Sequence, residues 1–264
     1  MRRAFPYRQA VVRGFSLVEL LAVTGILAVL ATLGLVGAQK VLLSSSLAIS
    51  ANNIRQLSAG AAAYLADNNY VYWPFHEVSG DPDRDGVIWW FGFEPRHSLA
   101  LPEGKRIIDV TGGPLGGYVP GGFRPDPSFR HVGRPFKPKY QFGYIGVGYN
   151  VFLGGGWRGE MPVLRYWDLE NPGSTVVFAT SAQVNIFQRP ASARNPMIEE
   201  FYGFDDGSTG NRASIHFRHH GRAMVAFANG SAGLLEMEES TRDRLAPDAN
   251  VGRFAPRGDD KYLR

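Results

Sequence analysis

Twenty consecutive residues, Leu20–Gln39, carry no charge. As an α-helix rising 1.5 Å per residue they reach roughly 30 Å, the thickness of a bilayer's hydrocarbon core. Ahead of them Arg2, Arg3, Arg8 and Arg13 stand without an acidic neighbour. By the positive-inside rule the N-terminus stays in the cytoplasm and everything after Lys40 lies across the membrane. The same arginines explain the basic balance: of 28 basic and 24 acidic residues, the chain after residue 14 keeps 24 of each. The basicity is therefore a topology signal. A nucleic-acid footprint would need Lys and Arg clustered on a folded face, so no nucleic-acid partner is expected. With no cysteine, disulfides, thiolate zinc sites and Cys nucleophiles are excluded.

An ordinary secretory signal peptide is the alternative, with Val36-Gly37-Ala38 as its small-residue cleavage site. Two features weigh against it. The apolar run exceeds the usual core of about 7–15 residues, and Glu19 stands at its N-terminal edge, where a carboxylate is costly at depth. Arg13-Gly14-Phe15-Ser16-Leu17-Val18-Glu19-Leu20 resembles the processing signal of type IV prepilins and type II secretion pseudopilins. The resemblance implies cleavage after Gly14 by a prepilin peptidase, N-methylation of Phe15, and Glu19 at the fifth mature position as an assembly residue. Glycine admits the protease, and a cut on the cytoplasmic side leaves the apolar segment in the product as its anchor. Glu19, costly alone in lipid, is neutralised by the N-terminal ammonium of a neighbouring subunit.

Helical periodicity continues through Leu47, Ala51, Ile54, Ser58, Ala61 and Leu65, and no proline falls between Pro6 and Pro74. One helix of about 80 Å from Phe15 to Asp67 is expected. Where many members of the family carry a helix-bending proline, this chain has Gly25, Gly34 and Gly37.

After Tyr70 the composition turns aromatic and turn-rich. Asp81, Asp83 and Asp85 followed by Gly86 and Ile88 match the first half of an EF-hand calcium loop. Position 12 is Gly92, leaving Glu94 as the only evident further carboxylate, so a calcium site and a solvated acidic turn are both open. Residues 112–127, with six glycines and four prolines, are expected to form a long loop. The runs Tyr140–Val151, Thr175–Phe178, Ala213–Phe217, Ala223–Phe227 and Ala232–Leu235 predict an antiparallel sheet.

A second resemblance lies in His216–Gly230, similar to the C-terminal signature of prepilin-type proteins in which a His, nine intervening residues and then Asp-Gly occur. Here these are His219 and Asn229-Gly230, and Asn229 and Thr180 stand where that family usually has Asp. Gly148-Tyr149-Asn150 and Pro172–Ser181 look like two further blocks. Read physically, Asn229-Gly230 predicts a type I′ hairpin turn, with Val225 and Phe227 facing the core. His219 and Asn229 then cap opposite ends of one strand, ~20 Å apart at 3.3 Å per residue. His216, His219 and His220 are expected as satisfied edge or core histidines rather than zinc ligands.

No G-x-S-x-G elbow, H-E-x-x-H pair or phosphate loop occurs, so no enzymatic activity is expected, and calcium is the only cofactor in question. The expected organisation is a cleaved leader (1–14), a long helix (15–69, of which 15–39 spans the membrane or forms a filament core), a β-rich head (70–236) and a charged, solvated tail (237–264). The fold class is α+β and pilin-like, a long helix packed on an antiparallel sheet. The function implied is a pilus-like or secretion-pseudopilus-like filament subunit, single-pass in a bacterial inner membrane with a periplasmic head, whose partners are the peptidase and other subunits. The rival is a membrane-tethered extracytoplasmic binding module for carbohydrate, using Trp73, Trp89 and Trp90 exposed on the head.

Overall fold

Proline-free sequence with good helix formers gives helix α1, Leu17–Asp67, in a computed structural model describing residues 16–119, 122–126, 128–129, 135–141 and 145–264. Of residues 34 and 36–44 it describes the backbone alone. The leader, Gly14 and Phe15 lie outside the described residues. The chain divides into two compact units, Met1–Ser45 and Ser46–Arg264. In the first, the helix exposes apolar side chains on every side, from Leu17 through Ile26 to Leu33. Among the described residues no helix is long and apolar enough to cross a membrane. The expected span Leu20–Gln39 runs on into 34 and 36–39, whose side chains are not among them.

In the second unit Ile54, Ser58, Ala61 and Leu65 of the predicted stripe are buried, Leu47 and Ala51 are half-buried, and Leu57, which the stripe did not include, is buried beside them, all on one face of α1. They pack on a five-stranded sheet formed by β5 (Val147–Asn150), β6 (Val176–Thr180), β9 (Gly203–Phe204), β11 (Arg222–Phe227) and β12 (Ala232–Glu236), in the order β12-β11-β6-β5-β9. Met224 and Ala226 face the helix side with Tyr149 and Phe178. Ala223 and Val225 face a second core with Ile215, Phe217 and Leu263, and Phe227 packs at its edge. Burial on both faces explains why β6 reads as a continuous apolar run.

The architecture is α+β, and the sheet departs from expectation in three respects. It is mixed, because β9 pairs parallel to β5 after a long connection. Ala213–Phe217 contributes only β10, Ile215–His216, which leaves the main sheet to pair with β13, Val251–Gly252. Two small sheets were not foreseen: β1 (His76–Val78), β2 (Gly86–Trp89) and β3 (Gly92–Pro95) form one; β4 (Phe136–Lys137), β7 (Gln183–Asn185) and β8 (Met197–Glu199) form the other.

Nor is the C-terminal segment a solvated tail. Ala246, Ala249, Val251 and Leu263 are buried, and Val176 donates its N–H to Tyr262 O at 2.8 Å. Its two buried charges are paired: Arg212 meets Asp243 at 2.5 Å, and Arg253 meets Asp205 at 3.4 Å. The glycine-proline loop is likewise anchored, with Leu115, Val119 and Phe123 in the core. It closes on α1 at Gly60, where a Cβ would stand 2.8 Å from Val119 Cγ2 and 3.0 Å from Tyr118 O.

Candidate functional site

At its start α1 carries a capping box, a feature the sequence reading missed. Ser16 donates N–H and Oγ–H to Glu19 Oε2, both at 2.8 Å, while the Glu19 N–H donates to Ser16 Oγ at 3.2 Å. Ser-x-x-Glu before an apolar run is the pattern for this motif, and it overlaps the processing signal. Two of the helix's orphan donors are thereby satisfied. Among the described residues Glu19 Oε1 accepts no hydrogen bond.

The C-terminal signature resolves into two turns at opposite ends of β11. His219 and Arg222 exchange backbone bonds of 3.0 and 3.1 Å around His220 and Gly221, whose φ values are 54° and 78°. The type I′ turn is therefore here. At Asn229-Gly230 only Gly230 has positive φ, 87°. Phe227 accepts from Gly230 N–H at 3.0 Å and donates to Ser231 O at 2.8 Å, the pattern of a three-residue type I turn closed by a glycine bulge. Asn229 is held by its N–H on Pro172 O and by an Oδ1 that accepts from Ser231 N–H and Oγ–H. This turn lines a cavity of about 340 Å³ against α1 with Ser58, Tyr70 and Trp167. Thr180 is a staple of the sheet, donating to His216 O and accepting from Met224 N–H.

His216 and His219 are buried beside Arg218, which the sequence reading passed over. Arg218 donates to Asp126 Oδ2 at 2.6 Å, Gly146 O at 2.7 Å and Ser128 Oγ at 2.9 Å. Asp126 in turn accepts from Ser50 of α1 at 2.8 Å. Burial works against the Asp126 charge, yet the guanidinium and these hydrogen bonds bring its carboxyl down to about 2. Burial, then the Arg218 charge, lowers His219 to about 4. This cluster ties helix, loop and sheet together and holds its histidines neutral.

Asp81, Asp83 and Asp85 stand in the β1–β2 turn without converging. Asp81 Oδ1 accepts from the Asp83 N–H at 2.9 Å, and Asp85 is ion-paired with Arg96 at 2.7 Å. Among the described residues no group of three or more His, Asp or Glu side chains is placed to hold a metal ion. Glu94 is fully buried and engaged elsewhere, accepting from Trp89 Nε1, Ser98 Oγ, Arg106 and Tyr140 OH at 2.6–3.0 Å. Trp73 and Trp90 are 0% exposed, so the expected exposed trio does not exist: they fill the core beneath the sheet. The exposed tryptophan is Trp167, at 69%.

A cleft of about 730 Å³ lies above Glu94. Phe75, Trp89, Trp157, Phe201, Tyr140 and Tyr202 wall it. Both indoles are fixed by their N–H groups, Trp89 on Glu94 at 3.0 Å and Trp157 on Asp205 at 2.7 Å. Lys139 enters over the Tyr202 ring, 5.4 Å from its centroid. Beneath it Tyr202 OH donates to Glu200 Oε2 at 2.8 Å, and burial pushes the Glu200 carboxyl up to about 8. Cleft size and lining match a small-molecule site: rigid apolar walls with a few convergent polar groups. Comparison with protein-family models, curated proteins and solved structures finds no match for this chain.

Proposed function

We propose that the chain is a filament subunit of the type IV pilus or type II secretion pseudopilus kind. It is cut after Gly14, N-methylated at Phe15 and held in a bacterial inner membrane by the apolar half of α1, with residues from 46 onward on the far side. One observation carries this: α1 begins at Leu17, and among the described residues its cap is the reciprocal Ser16–Glu19 pair. Both residues stay in the product of cleavage at the Gly14–Phe15 bond, which starts two residues ahead of this capped apolar helix. The exposed Leu17–Leu33 side chains supply the surface that lipid or neighbouring helices cover.

In this account Glu19 has two tasks, one per oxygen. Oε2 caps the helix of its own chain; Oε1 receives the methylated ammonium of the next subunit, setting register. Replacing Glu19 by Leu removes a carboxylate from lipid and preserves insertion, while incorporation into filaments built by wild-type partners is lost. Glu19→Gln keeps the cap acceptor, restores helix capping and still fails to assemble. Normal incorporation of the Gln variant contradicts the pairing.

A further inference from the structure

The cleft above Glu94 is built within the second unit, from residues remote in sequence from Gly14, Phe15 and Glu19. Among the described residues its charges balance. Arg106 is neutralised by Glu94 at 2.6 Å. Lys139 has Glu199 as its counter-charge, shared with Lys137, which meets the same carboxylate at 3.1 Å. At the rim the exposed Arg158 and Glu160 carry opposite signs, and the Arg158 N–H fixes Glu160 Oε2 at 2.6 Å. A ligand without net charge leaves these pairs intact, whereas a charged one must compete with them.

The floor is aromatic and continuous. Trp157 meets Phe75 edge-on at 4.9 Å and Phe201 at 5.4 Å with a tilt of 46°. The indole is a fixed plate: its N–H donates to Asp205 at 2.7 Å, and its six-membered ring seats on Gly203 of β9, where a Cβ would stand 2.9 Å from two ring carbons. Trp157 and Phe201 are half-buried, so part of each ring is open to the cleft. Rings in mutual contact at these angles leave no parallel slot for a flat aromatic ligand, and they present apolar surface on which C–H groups can lie.

The rim supplies donors and acceptors together. Burial lowers the pKa of His76, and the neutral imidazole carries one donor and one acceptor nitrogen. Thr209 and Asn211, joined at 3.0 Å, add a hydroxyl and an amide. The Arg158 guanidinium donates and the Glu160 carboxylate accepts. An acyl chain on this floor would cover such groups unpaired. Floor and rim together suit a body with C–H groups on its faces and hydroxyls around its edge. A pyranose ring with equatorial hydroxyls has that form, and each hydroxyl both donates and accepts.

We propose that this cleft binds an uncharged pyranose oligosaccharide, one ring lying on Trp157 and its hydroxyls meeting Arg158, Glu160 and His76. The volume of about 730 Å³ falls in the ordinary range for small-ligand sites, roughly 300–1,000 Å³. Binding here is independent of processing at Gly14, so loss of one leaves the other intact.

The test is calorimetric titration of the full-length protein, in a detergent without a sugar headgroup, with cellotriose and with chitotriose. Trigalacturonate, as an acidic sugar, and caffeine, as an uncharged flat aromatic, run in parallel. At least one of the two neutral sugars is expected to bind about tenfold or more tightly than either control, with an affinity unmoved by added salt. Trp157→Ala is expected to weaken that sugar about tenfold or more. Arg158→Ala, which keeps the backbone N–H that holds Glu160, is expected to weaken it severalfold at an unchanged melting temperature. Because Arg158 is exposed, its variant decides the matter should Trp157→Ala not fold. The proposal is overturned by no binding of either neutral sugar, by trigalacturonate or caffeine binding as tightly, by an affinity that falls with salt, or by unaltered affinity in the folded Arg158→Ala protein.

Discussion

Asp126 and Arg218, 92 positions apart, meet at 2.6 Å with both side chains almost wholly buried. Through Ser50, which donates to Asp126 at 2.8 Å, the pair also grips the helix. One partner left behind is an uncompensated buried charge, worth about 3–5 kcal/mol of destabilisation. Arg218→Met and Asp126→Asn should each lower stability on that scale, and the double variant Arg218→Met/Asp126→Asn should lose less than the two singles combined. Denaturant unfolding of a double-mutant cycle measures the coupling; strictly additive losses would deny that the pair acts as a unit.

Gly60 is where α1 and the glycine-rich loop touch. A methyl there adds helix propensity of about 1 kcal/mol but already crowds Val119 and the Tyr118 carbonyl, and a branched side chain must displace both. Gly60→Val is expected to cost about 1–3 kcal/mol by overpacking. A variant as stable as wild type in thermal unfolding would show that the loop is not docked on the helix.

Acid and base act on this head through different groups. His219, with its native value lowered to about 4 from 6.5, binds fewer protons folded than unfolded between those values. Its contribution is present above pH 6.5 and is lost as pH falls towards 4, amounting to on the order of 2 kcal/mol. Glu200, raised to about 8 from 4.5, has the opposite sign, for its folded form keeps the proton. That contribution is complete below pH 4.5 and is lost as pH rises through 8. His219→Asn should flatten the acid side of a melting-temperature profile, and Glu200→Gln the alkaline side. Parallel profiles for wild type and both variants would contradict the burial of these groups.

Calcium should leave the protein's melting temperature unchanged, in wild type and in Asp83→Ala alike, since Asp85 is committed to Arg96 and Glu94 to its own cluster. An increase of several degrees with millimolar calcium, absent in Asp83→Ala, would show the three carboxylates gathering around the ion.

What could be read from the sequence was local. The stripe Ile54, Ser58, Ala61 and Leu65 needs only helical spacing, and the β11–β12 hairpin needs only two β-rich runs around Asn229-Gly230. The turn type at Asn229-Gly230 differs from the expected one because strand register, not the dipeptide, sets the loop length: Phe227 pairs with Ser231 and leaves three residues between them. In the sequence Glu94 reads as a spare calcium ligand because its partners Arg106 and Tyr140 lie 12 and 46 residues away. Tryptophan exposure failed similarly: Trp73 and Trp90 sit in turn-rich sequence, yet fill the core through rings contributed by Tyr149 and Phe178. Charge density after Glu236 suggested solvation, and long-range pairs such as Arg253–Asp205 reverse that expectation.

The most direct measurement is the intact mass and N-terminal sequence of the protein recovered from its native membrane. The account predicts a chain beginning at N-methylated Phe15 in wild type, and full-length protein retained in the inner membrane for Gly14→Val, whose branched side chain obstructs the peptidase. A mature chain beginning at Met1, or near Gln39 as a signal-peptide cut after Ala38 would leave it, contradicts the filament-subunit account.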